Sequence, residues 1–129
     1  MNQIEAAEII ASEIPETQTE INKLISLKNP FAIVRVITAH IRKMVEQHNE
    51  KMIEKSLTVM DKIYRKGDLH LKNAVETEFI FSLSNIINTS NQSEKKLIKA
   101  KIPAALHKAY THQMYKSGLW WKFRKHVDT

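Results

Sequence analysis

Cysteine is absent from the 129 residues, and glycine and proline are scarce, with two and three copies. Without cysteine the chain has no disulfide, no thiolate metal ligand and no cysteine nucleophile. Two glycines leave no glycine-rich loop to cradle a phosphate, which argues against P-loop and dinucleotide-binding enzymes. An all-β chain needs turn residues roughly every ~10 positions. The scarcity of glycine and proline therefore favours helices joined by short loops.

Long apolar runs are also missing. No stretch reaches the ~18 apolar residues that a membrane-spanning helix needs. The first ten residues, MNQIEAAEII, lack the basic and apolar regions of a signal peptide. We therefore expect a cytoplasmic protein without a membrane span, and the absence of cysteine suits a reducing compartment. With 43% apolar and 26% charged residues, the chain is predicted to form a single helical domain over residues 1–129.

The apolar residues that are present recur every three or four positions, which is the period of an amphipathic helix. Asn29 is a good N-cap ahead of Pro30, and Gly67 is a natural stop for a helix. Asp68 then caps a helix over residues 68–87 that is apolar around much of its circumference. We predict that this is the central helix, buried on more than one side. Ser93 is predicted to cap a short basic helix after it.

This pattern predicts an all-α fold of six to seven helices in antiparallel pairs. The units 30–66 and 68–102 each contain a helix, a short break and a second helix. Their period of ~35–40 residues is typical of a HEAT or armadillo-like stack. A compact helical bundle is the alternative.

The net charge of +6 is unevenly distributed. Residues 1–22 contain five acidic side chains and no basic one, whereas residues 95–126 contain nine basic side chains and no acidic one. Such a distribution steers an acidic partner toward one end of the molecule. Solvated helix faces at the two ends are the simpler interpretation.

The histidines do not form a metal-binding pattern. His107 and His112 point in different directions on one helix, and His40 and His48 are about 12 Å apart along another. Neither pair matches a compact ligand spacing. We therefore predict no metal and no cofactor.

Two carboxylates on the predicted central helix are the best candidates for acid–base chemistry. Glu76 and Glu78 are two residues apart and so face different directions on a helix. We expect Glu76 to pair with Lys72 one turn back, and Glu78 to reach solvent. The sequence therefore predicts that the protein is not an enzyme.

One part of the chain is similar to known proteins. Tyr64-Arg-Lys-Gly67-Asp68 is followed by Asn73-Ala-Val-Glu76 and then by Phe79 and Ser82-Leu-Ser-Asn85. A helix that ends in Gly-Asp before a helix of this pattern resembles short bacterial all-helical, HEAT-like proteins, some of which are similar to immunity proteins of toxin–immunity systems. The resemblance covers about residues 55–123. It implies a binding protein and brings no catalytic motif.

The C-terminal stretch GLWWKFRKH, residues 118–126, combines aromatic rings with cations. If it is helical, Trp120 and Phe123 share a face and are predicted to close a core, while Trp121 is free for contact. We predict a non-enzymatic protein-binding module, an immunity- or antitoxin-like inhibitor that occludes its partner, another protein with an acidic surface. The predicted partner-binding residues are Tyr115, Lys116, Trp120, Trp121 and Arg124.

Nucleic-acid binding is the alternative function. Lysines neutralise phosphates and aromatic rings stack on unpaired bases, and the basic C-terminal third carries both. No helix-turn-helix, RRM or zinc-finger pattern is present to provide sequence-specific readout. The predicted contacts are Lys95, Lys96, Lys99, Lys101, Lys122 and Lys125.

Overall fold

The computed structural model describes residues 1–102, 106–108 and 110–112. In this part of the chain every regular element is helical and no strand occurs, which confirms the all-α class. The α-helices are α1 (Gln3–Glu13), α2 (Gln18–Leu24), α3 (Pro30–Glu46), α4 (Glu50–Lys66), α5 (Leu69–Ala74), α6 (Phe81–Thr89) and α7 (Gln92–Lys101). The 3-10 turns Pro15–Thr17 and Ile25–Leu27 follow α1 and α2, and the π-helical segment Val75–Ile80 joins α5 to α6.

Asparagine or aspartate begins each of the helices α1, α3, α4, α5 and α7. The side-chain oxygens of Asn2, Asn29, Asn49, Asp68 and Asn91 accept hydrogen bonds from backbone N–H groups of the first helical turn. These N–H groups have no partner inside the helix, so each cap satisfies a donor that the helix itself leaves open. The predicted starts at Asn29 and Asp68 are confirmed.

The predicted start of α7 at Ser93 is wrong. Asn91 caps the helix instead, and the Glu94 side chain accepts a hydrogen bond from the Asn91 backbone N–H at 2.9 Å. This reciprocal pair is a capping box, which satisfies one more N–H group than Ser93 alone would. The Ser93 hydroxyl donates to Glu50 of α4. It therefore links two helices and does not begin one.

Gly67 ends α4 as predicted, but for a different reason. Its φ of −69° and ψ of 152° are extended values that any residue adopts, so the left-handed conformation typical of a glycine stop is not used. A Cβ at this position would lie 2.5 Å from the Ile63 carbonyl oxygen and 2.9 Å from the Leu71 Cβ. Glycine is required here because the backbone of α4 and the start of α5 approach too closely for a side chain.

The central position belongs to α3 and not to the helix over residues 68–87, so that prediction is corrected. Helix α3 packs against α1, α2, α4, α5, the π-helical segment and α6. Its inward residues Ile33, Val34, Ile37 and Ile41 are buried. The helix from α5 to α6 is nevertheless buried on more than one side, as expected. The HEAT-like order of helix pairs stays a prediction, because the contacts of α3 with α4 and of α4 with α7 suit a stack and a compact bundle alike.

Helix α4 connects the first half of the domain to α7. It packs against α1, α3, α5 and α7 and buries Ile53, Leu57, Met60 and Ile63. These residues recur at three and four positions, so the opposite side of the helix is left to solvent. In the described residues no helix combines the length and apolarity needed to cross a bilayer.

Candidate functional site

The solvent side of α4 carries a row of polar residues that we call the lysine stripe: Lys51, Lys55, Thr58 and Lys62. All four are exposed. Their spacing of four, three and four residues places them within an arc of about 60° on one side of the helix. The Thr58 hydroxyl donates to the Glu54 carbonyl oxygen at 3.0 Å, so its donor is satisfied within the helix. The stripe therefore presents ammonium groups to whatever approaches this side of α4.

A groove of about 450 Å³ lies along the stripe. Besides the stripe it is lined by Glu13, the last residue of α1, and by Glu54 and Val59 of α4. Val59 is only 5% exposed and contributes an apolar side chain to the lining. The groove thus combines three cations, two carboxylates and the aliphatic stems of the lysines.

The charges of the groove are unequally paired. Glu54 forms an ion pair with Lys101 of α7, with 3.1 Å between Oε1 and Nζ. Within the residues that the structure describes, Lys51, Lys55 and Lys62 form no ion pair. Since these lysines are exposed and their charge is not compensated by a partner, they are available to an acidic ligand.

Four of the six lysines predicted to contact nucleic acid lie on α7, which packs directly against α4. Lys96 and Lys101 are exposed, whereas Lys95 and Lys99 are partly buried. The Lys101–Glu54 pair joins this helix to the groove. The structure therefore places Lys101 beside the lysine stripe, which sequence reasoning missed, whereas Lys95, Lys96 and Lys99 lie on other sides of α7. The sequence did contain a signal for the lysine stripe, because Lys51, Lys55 and Lys62 stand at i, i+4 and i+11 and therefore share one side of a helix.

The remaining predicted contacts lie beyond the part of the chain that the structure describes. Lys122 and Lys125, like the whole GLWWKFRKH stretch, lie outside the described residues. The same holds for the predicted partner-binding residues Tyr115, Lys116, Trp120, Trp121 and Arg124. Among the predicted contact residues, the described part of the chain therefore contains only the four lysines of α7.

The two carboxylates considered for acid–base chemistry both have structural partners. The Tyr64 hydroxyl donates to Glu76 Oε1 at 2.8 Å, and Arg35 of α3 lies 3.1 Å from Glu78. The expected pairing of Glu76 with Lys72 is thus replaced by a bond to α4, and Glu78 is partly buried instead of fully solvated. Burial, together with the bond to Glu76, raises the pKa of Tyr64 to about 12. The π-helical segment holds its two acids toward two different helices, so they do not form a catalytic pair.

A second groove, of about 380 Å³, lies between α2 and α3. It is lined by Glu20, Leu24, Ala32, Arg35, Val36 and Ala39. Its two charged residues are engaged elsewhere, since Glu20 lies 4.0 Å from Lys23 and Arg35 pairs with Glu78. This groove therefore has little charge of its own to offer a ligand.

Two of the four histidines considered as metal ligands have structural environments instead, one by burial and one by a contact with a carboxylate. His40 is buried, and this burial lowers its pKa despite the nearby Glu16 carboxylate. His48, at the turn between α3 and α4, has a left-handed φ of 55° and places Nδ1 2.7 Å from Glu94 Oε2. His107 and His112 are exposed. The described residues contain no cluster of histidines and carboxylates that fits a metal ion.

Comparison with known proteins gives a family but no individual relative. Neither the curated proteins nor the solved structures contain a match to the chain. One family model matches residues 7–116, a range that includes the helices α2 to α7 and all of α1 except its first residues. The chain belongs to the family described as domain of unknown function (DUF7674).

Proposed function

We propose that this protein is a non-enzymatic protein-binding module that engages an acidic partner through the groove along the lysine stripe. Binding at this groove covers a surface of the partner, so the module acts as an inhibitor of the immunity or antitoxin type, by occlusion. The proposal includes a cytoplasmic location, as the sequence leads us to expect.

The observation that carries the proposal is the contrast between paired and unpaired charges. Glu54, Glu76, Glu78 and Glu94 each have a partner from another helix or from the turn before α4. The stripe lysines have none within the described residues, and they border the larger groove. Complementary charge raises the rate of encounter and selects among partners, so a row of unpaired cations is well suited to recognition.

The mixed sign of the lining favours protein over nucleic acid. Glu13 and Glu54 stand beside the stripe lysines. A phosphate backbone is uniformly negative, so Glu13, which forms no ion pair within the described residues, would repel it, whereas Glu54 is compensated by Lys101. A protein surface carries both signs and can present a cation to Glu13 while its acidic residues meet the lysines.

The predicted aromatic anchors belong to the same proposal as a second contact region. Tryptophan and tyrosine supply much of the binding energy at protein interfaces, especially where charged groups surround them. Tyr115, Lys116, Trp120, Trp121 and Arg124 have this composition.

Nucleic-acid binding is the second candidate, and the position of α7 favours it. Lys96 is exposed on α7, which packs against α4, so it adds a cation to those of the stripe; Lys101 is exposed as well but is paired with Glu54. Such binding must collapse between low and moderate salt, because it depends on counterion release. An absence of retention on DNA and RNA at about 50 mM salt removes this candidate.

The experiment that tests the proposed function starts with capture on the immobilised full-length chain. Extract of the native host is applied with and without nuclease, bound proteins are identified by mass spectrometry, and each is then purified. We expect at least one of them to form a binary complex by calorimetry, with nuclease treatment making no difference. Capture that disappears with nuclease, or candidates that fail to bind once purified, would overturn the proposal.

A further inference from the structure

The geometry of the lysine stripe restricts the shape of the partner that fits it. Its residues follow the spacing i, i+4, i+7 and i+11, which is the spacing of a seam along which two helices pack. With a rise of about 1.5 Å per residue, Lys51 and Lys55 are about 6 Å apart along the axis, and Lys55 and Lys62 about 10.5 Å. The stripe is thus about 16.5 Å long, or three helical turns.

A helix matches these intervals and a strand does not. Residues on one face of a strand repeat about every 6.6 Å, so a strand fits the first interval but has no residue at the second. A partner helix that runs parallel to α4 has the same rise, and its residues at i, i+4 and i+11 meet all three lysines. The lysine stems add apolar contact along the seam.

The borders of the groove also restrict the partner. Glu13 stands on one side, at the end of α1, and the Lys101–Glu54 pair connects the groove to α7. A helix that is acidic all around would place carboxylates against Glu13. A helix with acids on one stripe and a neutral or basic flank avoids this repulsion.

We propose that the groove seats an amphipathic α-helix of the partner protein, lying along α4, with carboxylates at i, i+4 and i+11 that pair with Lys51, Lys55 and Lys62. This inference rests on the proposed function and specifies the structure that the partner presents. Thr58 leaves room for an uncharged residue at i+7 of the partner helix.

The test uses three fluorescently labelled peptides and the full-length chain, with binding followed by fluorescence anisotropy at low salt. The first peptide is a helix-stabilised 18-residue sequence with glutamates at i, i+4 and i+11. The second has the same composition with the glutamates distributed around the helix. The third carries the first peptide's glutamates and a central proline, which breaks the helix. Each is measured against the wild type and against two triple variants.

The stripe variant is Lys51→Glu, Lys55→Glu, Lys62→Glu, and the control variant is Lys23→Glu, Lys43→Glu, Lys72→Glu. All six lysines are exposed, and both variants change the net charge equally. Lys23 also loses its 4.0 Å ion pair with Glu20, so any effect of lost pairing falls on the control variant and not on the stripe variant. Circular dichroism confirms that both are folded.

We expect the in-register helix to bind the wild type about tenfold more tightly than either other peptide, since its three ion pairs form together. We expect the stripe variant to abolish this preference and the control variant to keep it. Equal affinity of the three peptides, or equal effects of the two variants, overturns the inference. If the peptides bind equally while the purified partner still requires the stripe lysines, the helix inference fails and the proposed function stands.

Discussion

In one region of the molecule the charged side chains are paired with neighbouring helices, and in another they are exposed to solvent. In the π-helical segment, Glu76 bonds to Tyr64 and Glu78 pairs with Arg35, so both carboxylates tie neighbouring helices together. On the lysine stripe of α4, Lys51, Lys55 and Lys62 form no ion pair within the described residues and border a groove. The acids of the first region contribute to the fold, whereas the cations of the second are exposed to incoming molecules.

The difference separates stability from recognition. When one partner of a partly buried ion pair or hydrogen bond is removed, the free energy of unfolding falls, because the other partner is left unsatisfied. Exposed unpaired lysines have no such partner to lose. Substitutions in the first region should therefore change the free energy of unfolding, and substitutions in the second should change binding alone.

The largest expected effect on stability comes from the apolar side of the π-helical segment. Phe79 is fully buried, and Phe79→Ala should lower the free energy of unfolding by about 3–5 kcal/mol through lost transfer energy and a cavity. Phe81 is a matched control, since it is 63% exposed two residues later. Phe81→Ala should stay within about 0.5 kcal/mol in guanidinium unfolding. Similar losses for the two variants would contradict this division.

A smaller effect is expected where α7 meets the turn before α4. Glu94 is fully buried, and one of its oxygens lies 2.7 Å from His48 Nδ1. His48→Ala should cost about 1–2 kcal/mol, because the buried carboxylate loses a hydrogen-bond partner, although the exposed side of His48 reduces the effect. His70, which is exposed, provides the control. If His48→Ala and His70→Ala unfold at the same denaturant concentration, the contact does not stabilise the fold.

The Tyr64–Glu76 bond should contribute about 1 kcal/mol, which Tyr64→Phe removes. It also predicts a pH dependence. The pKa of Tyr64 is raised to about 12 in the folded chain, so the unfolded state loses this proton first, near pH 10. The contribution is fully present below about pH 10 and is lost as the pH rises toward 12.

Thermal unfolding between pH 9 and pH 12 measures this contribution. The wild type should lose more stability over that range than Tyr64→Phe does. Burial raises the pKa of Tyr110 to about 12 as well, but Tyr110 is present in both proteins and cancels in the difference. Parallel pH profiles for the two proteins would show that Tyr64 does not ionise as the structure implies.

The smallest effect on stability should come from the lysine stripe. Replacing Lys51, Lys55 and Lys62 together by alanine removes no hydrogen bond or ion pair of the described residues and exchanges lysine for a residue of high helix propensity. The free energy of unfolding should change by less than about 0.5 kcal/mol in guanidinium titration. A loss comparable to that of Tyr64→Phe would mean that the stripe supports the fold.

The helices could be predicted from the sequence because their signals are local. Apolar residues spaced by three and four positions indicate that the segments are helical. The ends of the helices are indicated by Asn29 before Pro30 and by Gly67 before Asp68. The correct cap of α7 could also have been predicted from the sequence, since Asn91 has Glu94 three residues later, as a capping box requires, and Ser93 has no glutamate or glutamine at that distance. The central position of α3 could not be predicted from local sequence signals, because it depends on how many other helices pack against α3.

The candidate site was only partly predictable for the same reason. The α7 lysines stood out as a cluster in the sequence, and the spacing of Lys51, Lys55 and Lys62 places them on one helix face. The groove itself depends on Glu13, which the fold brings to α4 from the end of α1. Likewise, the partners of Glu76 and Glu78 come from α4 and α3, which helical periodicity alone does not reveal.

The most direct test of the account is the affinity of the purified partner for the two charge-reversal variants at about 150 mM salt, a physiological ionic strength. We predict that Lys51→Glu, Lys55→Glu, Lys62→Glu weakens the complex by at least about tenfold, because three attractions become repulsions. Lys23→Glu, Lys43→Glu, Lys72→Glu should change the dissociation constant by less than about threefold, since distant charges are screened. Equal weakening by the two variants would contradict the claim that the lysine stripe is the recognition surface.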